Sequence, residues 1–347
     1  MHDIATNELG ILLVLAFVIF VSPYFAKITK IPIAPIEIIF GTILGYFGLI
    51  EQSATFKLVA EVGFFYLMFL AGTEIDIRAL IKTDKQVLRL ALLYISILYI
   101  VAGITGVWSN ALFLTFVVVP VMSVGVLSTL FKEYGKNEPW LNTAMIAGGI
   151  GEVISIALLT LMSAYIEFGS SAELFSSIYY LILFIALCVL GFKGLEILFW
   201  WYPNIKIMLM PHDDKAEKDI RLSMALFFST VAVMIYLNLE IVLGAFIAGS
   251  FIATFFNHKK DLPHKLGSFG FGFLVPIFFV YIGTTVDLGY LFMPGVLDNA
   301  IKLMIFMTIV RECGSSIIKL GACEEIDCTE RTIRRALNEE KITPTFL

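Results

Sequence analysis

Eleven apolar runs follow one another along the chain, and their repetition leaves few folds open. They cover approximately residues 9–27, 31–50, 57–76, 88–108, 110–131, 141–165, 174–200, 220–237, 239–256, 268–291 and 298–312. A helix rises about 1.5 Å per residue, so about twenty such residues cross a bilayer core of about 30 Å. Hydrophobic residues make up 59% of the chain and charged ones 15%. A soluble globular domain does not carry that balance. The expected fold class is all-α, a polytopic transmembrane helical bundle. Only Asp3 and Glu8 carry charge ahead of the first run's apolar core, and no Lys or Arg does. A cleaved signal peptide needs a positive start, so none is expected. The cysteines, Cys188, Cys313, Cys323 and Cys328, form no CxxC spacing, and no disulfide framework is expected.

Basic residues mark every second connection. Lys27 and Lys30 follow the first run; Arg78, Lys82 and Lys85 the third; Lys132 and Lys136 the fifth. Lys193, Lys206, Lys215 and Lys218 accompany the end of the seventh, and Lys259, Lys260 and Lys265 follow the ninth. Connections after even runs hold almost none, Lys57 being the exception. The positive-inside rule then predicts an inner-membrane, multi-pass protein with its N-terminus outside, its C-terminus in the cytoplasm, and Lys82, Lys136, Lys215 and Lys260 inside. One missed helix would invert the alternation from that point on, so the pattern also checks the count.

Within this frame one stretch stands out, Ala147-Gly148-Gly149-Ile150-Gly151-Glu152. It puts a carboxylate near the middle of a spanning run. Such a residue costs a few kcal/mol or more in the bilayer and by default marks an ion site or a proton relay. The alternative is a neutral acid bonded to a neighbouring helix. Three glycines beside it let another backbone or a small cation come close. In the fifth run, Val119-Pro120-Val121-Met122-Ser123-Val124-Gly125 places a proline and a glycine in mid-membrane. That predicts either a simple proline kink or an unwound helix with carbonyls free to bind a cation. Pro32 and Pro35 open the second run, and Gly41 and Gly45 suit close helix packing, as does the Ala245-xxx-Gly249 spacing of the ninth. Thr284 and Thr285 either line a polar path or bond back to their own helix.

These stretches, taken in order, resemble the Kef-type and Nap-type bacterial cation:proton antiporters over about residues 1–314. Leu58-Val59-Ala60-Glu61-Val62-Gly63 and Phe69-Leu70-Ala71-Gly72-Thr73-Glu74-Ile75-Asp76 are similar to the family's third helix. Ser123-Val124-Gly125-Val126-Leu127 is similar to its first broken helix. Ile150-Gly151-Glu152-Val153 falls at its acidic pair, and Leu243–Gly249 and Phe278–Asp287 match as well. Val310-Arg311-Glu312 resembles the helix bearing its functional Lys or Arg. The resemblance implies a thirteen-helix inverted repeat, a sodium/proton antiporter-like fold with a dimerisation scaffold and a moving core, and hence a homodimer. Gly151 stands where the family has its first acid, and Met122 where it usually has a Thr. About eleven of the thirteen helices are expected here, a C-terminally shortened chain lacking the second broken helix.

The expected domains are a transmembrane exchanger-like domain over 1–314 and a polar cytoplasmic tail over 315–347. In the tail, Thr329–Leu337 resembles the second helix of a transposase-type helix-turn-helix, but a solvated helix is the preferred reading and no nucleic-acid partner is expected. The expected function is exchange of a monovalent cation, Na+ or K+, for protons by alternating access. Glu152 would be the shared carboxylate, Ser123, Pro120 and Gly125 would frame the ion site, and Arg311 would be the charge partner. Glu61, Glu74, Asp76, Thr284 and Asp287 are secondary candidates. Cation, proton and lipid are the expected partners, with no cofactor, metal or enzymatic reaction. The alternatives are a non-transporting membrane subunit or regulator, which would follow from an unpaired half-site and would give weak exchange or none, and a sodium-coupled solute symporter.

Overall fold

The computed structural model describes residues 2–50, 52–78, 85–108, 119–120, 139–168, 172–211, 216–237, 239–256, 259, 261–291 and 295–325. Every regular element among them is helical. In chain order these are α1 (His2–Thr29), α2 (Ile33–Tyr46), α3 (Ala54–Thr73), α4 (Lys85–Trp108), α5 (Pro139–Phe168), α6 (Ala172–Trp201), α7 (Pro203–Leu209), α8 (Lys218–Tyr236), α9 (Ile241–Phe255), α10 (Leu262–Phe269), a π-turn (Gly270–Leu274), α11 (Val275–Thr285), α12 (Leu288–Leu291) and α13 (Val296–Glu325). Ten of the eleven apolar runs coincide with helix; of the fifth, only Val119–Pro120 lies within the described residues. The helix-turn-helix-like stretch 329–337 also lies outside them.

Among the described residues six helical stretches have the length and hydropathy of a membrane span, and the protein is a multi-pass membrane protein. α2 and α9 are shorter, at 14 and 15 residues. The chain forms two compact units, one of residues 1–76 and 183–297, the other of 77–182 and 298–347.

In the first unit the two short helices make the closest crossings: α2 lies along α11, and α9 along α3. Lipid tails are as apolar as leucine, so helices associate there by close packing of small residues rather than by fleeing water. Gly72 of α3 backs onto the Phe246 carbonyl of α9, and Gly249 of α9 onto the Phe69 carbonyl of α3. Gly41 meets the Val280 carbonyl, and Gly283 meets that of Ile38, in the same reciprocal way. Bulk packing surrounds these contacts. Tyr66 and Phe69 of α3, Phe227 of α8 and Phe255 of α9 share one buried aromatic cluster. Ile11, Leu15 and Val18 of α1 pack with Ile277 and Val280 of α11 in another.

Local signals set the ends. Ser53 caps α3, its hydroxyl accepting the Phe56 N–H at 3.1 Å. Pro35 sits in the first turn of α2, where its missing N–H has no partner to lose. Pro276 has the opposite effect. Coming one residue into α11, it cannot donate to the preceding turn and crowds the carbonyl four residues back, and the chain widens into the π-turn just before it. Residues 262–285 thus form one continuous helical stretch that widens at a π-bulge. The Tyr66 hydroxyl donates to the Leu266 carbonyl at 3.2 Å beside that turn.

The second unit is built on α4 and α5, which pack together. Leu98 and Ala102 of α4 gather Val119 and, from α13, Val310 into a small buried cluster, with Phe306 and Met307 against it.

Candidate functional site

Glu152 sits in α5, a 30-residue helix of about 45 Å, more than enough to cross the bilayer core. Its residue exposure is 8%, in a helix that carries few polar groups. Ala147, Gly148, Gly149 and Gly151 are buried with it. The glycines leave the α5 surface beside the carboxyl bare of side chains. One turn further on, the Ser155 hydroxyl lies 3.0 Å from the Tyr99 hydroxyl of α4. This bond pins α5 to α4 next to Glu152, and it puts two neutral hydroxyls near an acid in an otherwise apolar pair of helices.

The same α4 organises the other predicted parts. Val119 packs against Leu98 and Ala102, and its neighbour Pro120 is buried in a turn. Arg311 lies on α13 directly after Val310, which packs into that cluster. Glu152, Pro120 and the backbone of Arg311 therefore belong to one unit, joined through one face of α4. Ser123 and Gly125 lie outside the described residues, as does the Arg311 side chain.

The secondary candidates all lie in the other unit. Glu61 is exposed on α3, with Lys57 3.8 Å away on the same helix. Glu74 and Asp76 are half-buried just past the end of α3. The Thr284 hydroxyl donates to the Tyr281 carbonyl at 2.7 Å, so it bonds back to its own helix, and its main-chain carbonyl accepts from Gln52 at 3.0 Å. Asp287 is exposed and accepts the Gly289 N–H at 2.8 Å, a local turn at the start of α12. Those two residues do structural work at a helix end.

Among the described residues two further acids are buried without having been singled out in the sequence. Asp219, 2% exposed, has Lys265 3.4 Å away and accepts the Ile220 N–H at 2.8 Å, so an ion pair and the start of α8 account for it. Glu37, 3% exposed, lies on α2 one turn before Gly41 at the α11 crossing. Its signal is the one that marks Glu152, an acid within an apolar run. The prolines at 32 and 35 make it read as a helix-start residue instead.

The chain matches the family described as sodium/hydrogen exchanger, transmembrane, over residues 14–333. It belongs to the sodium/hydrogen exchanger family. Exchangers and their kin among curated proteins align along most of its length. The "Putative Na(+)/H(+) antiporter YjbQ" of Bacillus subtilis is 28% identical, covering 90% of this chain and 53% of that protein. The "Probable Na(+)/H(+) antiporter 3" of Methanocaldococcus jannaschii is 26% identical, covering 79% of this chain and 71% of its own. The "Na(+)/H(+)-K(+) antiporter GerN" of Bacillus cereus is 23% identical, over 72% and 64% respectively. The chain thus spans about half the length of the Bacillus subtilis relative.

Proposed function

We propose that this chain exchanges a monovalent cation, Na+ or K+, for protons across the inner membrane by alternating access, with Glu152 as the shared carboxylate. The observation that carries the reading is a buried acid on a membrane-long helix, bordered by buried glycines. A carboxylate can hold a cation or a proton but not both, and this competition obliges exchange. Neutral oxygens suit a hard cation, and Ser123 with the backbone around Pro120 and Gly125 would supply them. Arg311 would hold the empty carboxylate charged between the two loads. The names of the relatives, antiporters of Na+ and in one case also K+, support the same class of cargo. With a single acid at the site, one cation for one proton is the simplest stoichiometry. The transport domain would cover residues 1–314, with 315–347 as a cytoplasmic tail, and the assembly would be a homodimer.

The test is a pH-jump assay in everted vesicles. A respiration-driven acid interior should discharge on adding NaCl or KCl, and choline chloride should leave it unchanged. Discharge by neither metal cation would defeat the proposal.

Orientation has its own test. On the positive-inside rule the N-terminus would lie outside and odd-numbered runs would exit into the cytoplasm. In a chain freed of its native cysteines, single cysteines at Lys82, Lys136, Lys215 and Lys260 should resist a membrane-impermeant thiol reagent on intact cells and react after permeabilisation. Labelling of any two in intact cells would discard this topology.

A further inference from the structure

Among the described residues Glu37 is the buried acid that neither the proposed exchange site nor an ion pair accounts for. No described residue gives its carboxyl a hydrogen bond or an opposite charge. The glycine contacts place it. Gly41 meets Val280 of α11 and Gly45 meets Thr284, four residues on in each helix, so α2 and α11 run in the same direction. One turn back from Gly41 is Glu37, and one turn back from Val280 is Pro276. The acid therefore stands level with the buried Pro276, just past the π-bulge at Gly270–Leu274. That bulge has main-chain oxygens without their regular donors. In an α-helix the Gly272 carbonyl would take the N–H of residue 276, which proline lacks. The Phe271 carbonyl would take that of Val275, which goes to Gly270 instead. Helix carbonyls point toward the C-terminus, so both open toward the turn that holds Pro276. The helices packed most closely on α2 bring little charge to this level. On α11, Tyr281 sits edge-on to Phe56 of α3, and on α1, Tyr24 and Lys27 are exposed.

We propose that Glu37 is a second proton-binding site, its carboxyl neutral while α2 lies on α11 and donating its O–H to a main-chain carbonyl of the π-bulge. An ionised carboxylate only accepts, and the polar groups offered at this level are themselves acceptors. With a proton it becomes a donor, and the cost of an unpaired buried charge disappears. A bulge of this kind often marks a functional position in a helix. A sodium or potassium ion is the poorer occupant. It needs several oxygens at once, and the buried neighbours Ile36, Val275 and Ile277 are all apolar. The proton is distinct from the exchanged one, since Glu37 belongs to the first unit and Glu152 to the second.

The experiment is infrared spectroscopy of the full purified chain in detergent at neutral pH, with choline as the only added cation. It reads the carbonyl stretch of protonated carboxylic acids, to which exposed, ionised acids do not contribute. All samples carry Glu152→Gln, so that the other mid-membrane acid is silent. A protonated-acid band should be present and should vanish when Glu37→Gln is added. Adding NaCl or KCl should leave the band in place. Pro276→Ala returns an N–H to the helix, competes for the freed carbonyl, and should shift the band. If Glu37→Gln removes no band, the residue is ionised and the proposal is overturned. A band abolished by NaCl or KCl overturns it too, since a cation would then displace the proton. So does a band that Pro276→Ala leaves unmoved, because the O–H would then be bonded elsewhere. None of these readings depends on transport.

Discussion

Replacing Glu152 by Gln is expected to abolish cation-driven proton movement while leaving the folded protein intact. Gln keeps the shape of the side chain and a hydrogen-bond donor, so the packing of Ala147, Gly148, Gly149 and Gly151 around it need not change. What it loses is the ability to shed a proton and to attract a cation. A buried acid that served only as a neutral hydrogen-bonding group would tolerate this change. The variant should elute as a single species and melt no lower than the parent, because removing a buried ionisable group also removes its desolvation cost. Exchange in everted vesicles should fall to the level of vesicles without the protein. Glu152→Asp keeps the charge but withdraws it by one methylene, and it should retain exchange with altered cation affinity. Arg311→Ala should retain exchange with an altered pH dependence, as expected of a charge partner rather than of the carrier. These measurements belong in a chain or assembly that transports. Normal pH-dependent exchange by the Gln variant would end the assignment of Glu152 as carrier.

The helices were legible because bilayer length and apolar composition are local properties. α4, α5 and α6 begin and end within a few residues of the apolar runs that predict them. Their partners were not legible to the same degree. Gly41 and Gly45 announce a close crossing, but nothing near them says that the other helix is α11, 230 or more residues away, or that Gly283 repeats the contact from the far side. The π-bulge at Gly270–Leu274 widens a helix that reads as regular, since hydropathy does not register the missing N–H of Pro276. The burial of Glu152 followed from the sequence, because a mid-run acid has nowhere else to go. Glu37 did not stand out, because its depth depends on α11 packing over it. At Asp287 and Thr284, polar residue types near a helix end were as consistent with capping and back-bonding as with an ion path, and the geometry takes the local option.

Widening the α3–α9 crossing is expected to have the largest effect on stability. A β-carbon at Gly72 would run into the Phe246 carbonyl oxygen and reach the Ser250 nitrogen at 3.0 Å; one at Gly249 would run into the Phe69 carbonyl oxygen and stand 2.8 Å from the Thr73 nitrogen. These obstacles are backbone on both sides, so no rotamer change relieves them and the helices must separate. Separation would loosen Phe69 and Phe255, which lie in the aromatic cluster on either side of the crossing. Overpacking of this kind costs about 1–3 kcal/mol and sometimes more, against a total stability of only about 5–15 kcal/mol. Gly72→Val and Gly249→Val should each lower the melting midpoint of the detergent-solubilised protein, and the pair together should leave little monodisperse material. The controls are Gly191→Ala and Gly194→Ala on α6, where an added β-carbon meets nothing within 4 Å. There the change should be neutral or slightly stabilising, since alanine favours helix over glycine by about 1 kcal/mol. The contrast separates packing from glycine's general effect on helices. If all four substitutions shifted the midpoint alike, the reciprocal glycine contact would not be what holds α3 against α9.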